Sequence, residues 1–110
     1  MSVLASPVPA VEYDGCPVTR AIHRLGEKWT LLVITLLGRR PHRYNELHRG
    51  IEGISQRILT RTLRLLEADG LVARTVHPTV PPQVEYRLTA AGESLLVPLG
   101  ALAAWAVENY

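Results

Sequence analysis

No phenylalanine occurs among the 110 residues, and Trp and Tyr together supply only 5% of the chain. A core without Phe has to be filled by Leu, Val, Ile and Ala, a palette that favours helix over sheet. Cysteine is almost absent as well: Cys16 stands alone, so no disulfide can form within the chain. No charged segment followed by an apolar run and a cleavage site opens the sequence, and the expected compartment is a reducing cytoplasm. The apolar run at residues 31–37, interrupted by Thr35, falls far short of the ~20 residues that a bilayer span needs. No membrane segment is expected. His23, His42, His48 and His77 are scattered without metal-ligand spacing and have no second cysteine to join them, which argues against a zinc site. Carboxylates are equally dispersed, no glycine-rich phosphate loop occurs, and the serines lack a triad context. Neither an enzyme nor a cofactor is expected.

The length suits one domain with a modest core, preceded by a tail. Twelve Lys and Arg against ten Asp and Glu leave a net charge of +2. That balance permits a polyanionic partner without demanding one, so local clustering has to decide.

The densest cluster lies in residues 54–70, which read as a recognition helix. Ser55 is placed to cap the first turn, Ile54 and Leu59 occupy the two positions of a hydrophobic staple, and Gly70 supplies a left-handed residue to end the helix. Ile58, Leu59, Thr62, Leu63 and Leu66 recur at helical spacing on one side. Gln56, Arg57, Thr60, Arg61 and Arg64 fall on the other. A helix is stabilised by acids in its first turn and bases in its last, and this one carries Arg57 and Arg61 early and Glu67 and Asp69 late. Helix stability does not favour that order, whereas an external anion at the N-terminal half would. A simply solvated basic face remains the alternative.

Around this element the chain reads in order. Residues 1–15 hold two prolines and small residues without a period, and are expected to form a mobile arm. Cys16 and Pro17 open a helix through Leu25, with Val18, Ala21, Ile22 and Leu25 on one side and Gly26 at its end. Residues 29–37 form a central helix, apolar almost all round, closed by Gly38. Arg39, Arg40, Pro41, His42 and Arg43 make a basic turn placed to meet a phosphate strand. Residues 44–49 give a short helix, and Gly50 to Gly53 a turn into the recognition helix. That is the helix-turn-helix arrangement. Residues 71–77 and 83–88 alternate as two strands of a hairpin, and the Pro78, Thr79, Val80, Pro81, Pro82 connection is too proline-rich to pair, so it projects as a wing. Thr89 caps a last helix to Tyr110, bent at Pro98, with Leu95, Leu99, Leu102 and Ala106 in a stripe that Leu96, Ala103 and Trp105 extend. So much apolar surface exceeds what one winged domain covers, and a second copy of the chain is the expected partner.

The fold class is therefore mainly α with a small β-hairpin, a winged helix-turn-helix of four helices, a strand, a wing, a second strand and a terminal helix. Residues 16–110 form the domain, and 89–110 are its dimerisation helix. On the DNA side, Gln56, Arg57, Thr60 and Arg61 are candidates for base readout, since amide and guanidinium groups pair with adenine and guanine edges. Ser55, Arg64, Arg39, Arg40 and Arg43 are candidates for further DNA contacts, and His77, Thr79 and Arg87 for contact from the wing. Cys16 precedes Pro17 at the positive end of a helix with Arg20 one turn on, a setting that lowers a thiol pKa. An inert cysteine is the alternative.

The ordered set Cys16-Pro17, Leu25 to Trp29, Arg43 to Leu47, Gly53-Ile54-Ser55 to Leu59-Thr60, Leu63, Leu66-Glu67, Gly70-Leu71-Val72, Arg74, Pro82 to Thr89 and Gly92 resembles the HxlR family of MarR-like winged helix-turn-helix regulators. The resemblance implies a homodimer with a recognition helix in each of two successive major grooves. It also implies wings at the flanking minor grooves, and an N-terminal cysteine that senses oxidants or electrophiles in several relatives. The double-stranded operator is then palindromic and the protein a cytoplasmic, nucleoid-associated regulator, a repressor or a dual regulator, under an oxidant or small-molecule signal. Two residues depart from the family's usual pattern, Glu27 where glycine is common and Tyr44 where phenylalanine is, and neither is expected to touch the DNA face. A winged-helix protein-interaction module without DNA affinity is the competing reading. A contiguous face of Arg39, Arg40, Arg43, Arg57, Arg61 and Arg64 would favour DNA, and scattered arginines the interaction module.

Overall fold

A computed structural model describes residues 7–110. Its elements in chain order are α1 (Ala10–Asp14), α2 (Pro17–Leu25), α3 (Lys28–Arg39), β1 (His42–Arg43), α4 (Tyr44–Gly50), α5 (Gln56–Ala68), β2 (Val72–His77), β3 (Gln83–Leu88) and α6 (Ala90–Asn109). Within the segment expected to be a mobile arm, residues 10–14 are helical. Residues 1–6 lie outside the described part.

The core gathers around α3. Thr30, Val33, Ile34 and Leu37 recur at three- and four-residue spacing on one side and are buried. Leu32 on the opposite side is exposed, so this helix is one-sided rather than apolar all round in use. Gly38 does not end it: α3 runs on to Arg39, and Gly38 is instead where α6 comes close, a Cβ there meeting the Leu96 side chain at 3.0 Å. Leu47 of α4, Ile51 and Ile54 of the turn, Leu59, Leu63 and Leu66 of α5, and Val72, Tyr86 and Leu88 of the sheet complete the core.

The sheet has three strands, not two, in the order β1-β3-β2 and antiparallel throughout. The residues expected to belong wholly to a basic turn supply the third strand, His42 opposite Tyr86 and Arg43 opposite Glu85. Two residues are too few to show alternation, so no period marks them. His42 is buried there, its Nδ1 2.8 Å from the Arg40 carbonyl oxygen, and it is removed from any outward role.

Both ends of α5 are fixed by local chemistry. The Ile58 N–H donates to Ser55 Oγ at 3.1 Å. At the other end Gly70, at φ +74°, donates its N–H to the Glu67 carbonyl and Leu71 donates to that of Leu66. This is the paired closure that a left-handed residue allows. The chain then turns directly into the hairpin. Thr89 joins that junction to α6: its hydroxyl donates to the Gly70 carbonyl at 2.6 Å and accepts from the Gly92 N–H at 3.2 Å.

The flanks differ from this core. Neither α1 nor α2 contributes a buried residue, and α6 contributes only Gly92. Of the apolar side of α2 only Leu25 reaches the core, while Val18 and Ile22 stay 69% and 66% exposed. Helix α6 continues through Pro98. Its N-terminal half lays Leu95, Leu96 and Leu99 on the core, and beyond them Leu102, Trp105, Val107 and Tyr110 face solvent. The radius of gyration is 17.2 Å and the extents are 65 × 33 × 26 Å, against a radius of about 13 Å for a compact chain of this length. Against the expectation of no membrane segment, α6 is long and apolar enough to cross a membrane by length and composition, with residues 101–107 apolar without interruption.

Candidate nucleic-acid interface

Because Leu59, Thr62, Leu63 and Leu66 turn α5 toward the core, its remaining face is forced outward. There Gln56, Arg57, Thr60, Arg61 and Arg64, with Tyr44 from the start of α4, line a shallow concavity of about 410 Å³. Five of these six belong to the face expected from helical spacing. No acid stands in the first turn of α5. The guanidinium groups of Arg57 and Arg61 therefore add to the positive end of the helix dipole rather than cancel it, and the surface is suited to anionic oxygens. Arginine and glutamine are also the side chains whose paired donors and acceptors fit base edges. Ser55 is exposed beside them, with its oxygen engaged in the cap and its hydroxyl hydrogen left to donate.

The remaining basic candidates are placed differently. Arg39 and Arg43 are exposed, at the end of α3 and in β1, and do not line the concavity. Arg40 is turned away to Glu46, with Nη2 3.2 Å from Oε2, and it also donates to the Pro41 carbonyl at 2.9 Å. Glu46 Oε1 accepts from the Arg43 N–H at 2.9 Å, which caps α4. That backbone donor first, and the Arg40 guanidinium second, hold the Glu46 carboxyl below the ordinary glutamate range. On the wing, His77 Nε2 lies 3.5 Å from Glu85 Oε1, and the Thr79 hydroxyl donates inward to the Pro81 carbonyl at 2.8 Å. Both polar groups expected to reach DNA from the wing thus already have partners within it. Arg87 is exposed on β3.

Two residues expected to stand apart from the candidate DNA face make contact with residues of the outward face of α5. The Tyr44 hydroxyl donates to the Gln56 carbonyl at 3.0 Å and lies 3.1 Å from Thr60 Oγ1. Glu27, at the N-cap position of α3 but without a capping hydrogen bond, brings Oε2 to 4.0 Å from Arg61 Nη2. The signal for Tyr44 was its single extra oxygen, since a half-buried phenol seeks a partner and the helix-turn-helix puts the start of α4 against the first turn of α5. For Glu27 no local signal existed, because 34 positions separate the pair and only the crossing of α3 with α5 joins them.

Cys16 is the N-terminal cap position of α2 and is partly exposed. Its Sγ completes no capping hydrogen bond, yet the Thr19 N–H, then the Val18 N–H and the Thr19 hydroxyl, draw the thiol pKa below its ordinary value. The first turn of the helix does this rather than Arg20. A larger concavity of about 1050 Å³, lined by Pro17, Arg20, Arg24, Leu71, Leu95 and Pro98 among others, separates α2 from α6 and lies apart from the arginine face. Arg24 and Asp69, both in its lining, form an ion pair at 3.5 Å. Among the described residues no group of three or more His, Cys, Asp or Glu side chains is arranged to hold a metal ion.

Known proteins share this architecture. The family of HxlR-like helix-turn-helix proteins matches residues 24–110. An uncharacterised HTH-type transcriptional regulator of Methanothermobacter thermautotrophicus is 48% identical over 90 residues, which cover 82% of this chain and 69% of that protein. Among solved structures, the reduced form of the transcriptional regulator YodB from B. subtilis superimposes with a TM-score of 0.77 at 37% identity, over 83% of this chain and 90% of that one. The redox regulator HypR in its oxidised form does so with a TM-score of 0.78 at 39% identity, over 86% and 98%. With a winged fold, an outward basic helix and matches of this extent, the chain belongs to the HxlR-like helix-turn-helix family and is a DNA-binding transcriptional regulator, not an enzyme.

Proposed function

We propose that this protein is a homodimeric repressor that reads a palindromic operator with α5, each subunit placing Gln56, Arg57, Thr60 and Arg61 against base edges in one major groove. The observation that carries this reading is the convergence of those side chains, with Arg64, on the outward face of a helix whose other face is locked into the core. Arg39, Arg43 and the Ser55 hydroxyl take phosphates, and Arg64 another. Arg40, His77 and Thr79 have partners within the chain, so they join only if those contacts exchange for DNA. Occupying the operator excludes the transcription machinery from the same stretch, in the cytoplasm at the nucleoid.

Dimer formation is supported by the exposed apolar residues of α2 and α6, Val18, Ile22, Leu102 and Trp105 among them, and by the elongated shape they give one chain. Two-fold symmetry then places half-sites about 10 bp apart, or a multiple of that. The same face of α6 explains its membrane-like composition without a membrane. A redox or electrophile response at Cys16 is supported by its lowered pKa and partial exposure, which favour the reactive thiolate.

The test is a gel-shift titration against duplexes flanking the protein's own gene, repeated across salt. If a dimer neutralises about 6–10 phosphates, affinity falls by about 10³–10⁵ between 50 and 200 mM salt, and a shuffled duplex binds far more weakly. Equal affinity for every duplex sinks the operator reading, and no affinity leaves the protein-interaction reading. The same titration after diamide, in wild type and Cys16→Ser, decides the redox role. Identical affinity in all four arms rules it out.

A further inference from the structure

The contact between α4 and α5 carries more than packing. Tyr44 has one hydroxyl hydrogen, the Gln56 carbonyl can only accept it, and Thr60 Oγ1 lies 3.1 Å from the same phenolic oxygen. A single assignment makes both contacts hydrogen bonds: Tyr44 donates to Gln56, and the Thr60 hydroxyl donates to Tyr44. The Thr60 hydrogen is then spent inside the protein. What remains at Thr60 is an oxygen with a free lone pair and nothing to donate, in the lining of the concavity that also holds Gln56, Arg57 and Arg61.

We propose that Tyr44 is a specificity-determining positioning residue, which fixes the Thr60 hydroxyl as an acceptor and so selects a base bearing an amino group, adenine or cytosine, at the position Thr60 faces. An unconstrained threonine hydroxyl turns to suit a donor or an acceptor and discriminates little. In the major groove adenine N6 and cytosine N4 donate, whereas guanine offers N7 and O6 and thymine O4, all acceptors. An acceptor-only oxygen finds no partner on guanine or thymine and leaves an acceptor facing an acceptor. Without the phenolic oxygen, Thr60 either rotates freely or bonds back to the Gln56 carbonyl one turn earlier. In both cases the direction that Tyr44 imposes is lost. This rests on α5 being the reading helix.

The experiment is selection of binding sites from a random duplex pool by the full-length protein, followed by affinity measurements on single-base variants of the selected site. Wild type, Tyr44→Phe, Thr60→Val and Thr60→Ser are compared, with thermal unfolding of each. The expected result is a preference for adenine or cytosine at one position per half-site. Thr60→Ser keeps that preference, while Thr60→Val and Tyr44→Phe each lose about 3- to 10-fold of it at that position alone, the scale of one hydrogen bond. The same preference in Tyr44→Phe as in wild type overturns the proposal and leaves the reading helix standing. So does guanine or thymine at the Thr60 position. A loss spread evenly over all positions with a lowered unfolding temperature assigns Tyr44 to packing and also overturns it. A wild type that selects no site at all overturns the operator reading itself.

Discussion

The winged core and its flanking helices are made from the same few apolar residue types, yet they use them in opposite ways. From Lys28 to Leu88 most apolar side chains turn inward, Leu32, Leu65, Val76 and Val80 excepted, and Ile34, Leu47, Leu59 and Leu63 are all but sealed from water. In α2 and in the C-terminal half of α6 the same residue types stand in solvent. Local signals mark helix starts in both regions: Thr89 caps α6 as Ser55 caps α5, and Pro17 opens α2, there without a side-chain cap. Capping therefore decides where a helix begins, and burial decides whether it is stable. The core covers its own apolar surface, and the flanks leave theirs exposed.

That contrast breaks most directly with a matched pair of truncations. Leu63→Ala in the core removes a fully buried side chain and should cost about 2–5 kcal/mol, lowering the unfolding midpoint at every protein concentration. Trp105→Ala on α6 should change little within one chain and instead weaken association, so that its midpoint falls more at low concentration than at high. Chemical denaturation at two concentrations, with sedimentation to give the oligomeric state, checks both. A concentration-independent midpoint for wild type and Trp105→Ala alike would mean that α6 has no partner copy.

A smaller effect separates reading from doubling. Arg57→Ala or Arg61→Ala lies on the core's outer face and should cost about 1–3 kcal/mol of operator affinity and relax one base position, with the dimer intact. Unchanged operator affinity in both variants would mean that α5 is not the reader.

Smaller still is the acid response of the α4 cap. The folded-state pKa of Glu46 lies below its unfolded value, so its stabilising contribution is complete above the ordinary glutamate pKa of about 4.3 and is lost as pH falls through the depressed folded value. Wild type should therefore lose stability through this acid range more steeply than Glu46→Gln, measured by unfolding midpoint against pH. Parallel curves would remove Glu46 from the account.

The least effect concerns Glu27, whose carboxylate sits near Arg61 on an open surface. Exposed pairs of this kind contribute only about 0.2–1 kcal/mol. Glu27→Gln should release Arg61 and tighten DNA binding by about 2- to 5-fold at low salt, with the gain shrinking as salt screens it. Equal affinity at all salt concentrations would show that Arg61 never leaves the protein's own field.

The sequence by itself determined the order of elements, all but α1 and β1, and the outward face of α5, because both are local. Ser55 and Gly70 bound α5 through hydrogen bonds that reach no farther than four or five residues, and a period of 3.6 assigns Gln56, Arg57, Thr60 and Arg61 to one side whatever the helix packs against. The wing followed from prolines that cannot pair. Only the tertiary structure decided that Arg40 is held by Glu46, that His42 is a buried strand residue opposite Tyr86, and that Tyr44 and Glu27 meet the outward face of α5. Each of these depends on which elements cross and on distances of a few ångströms between side chains, and no local periodicity encodes them. The exposed half of α6 belongs to the same class: its stripe is visible in the sequence, but that one chain leaves it uncovered is a property of the whole packed domain.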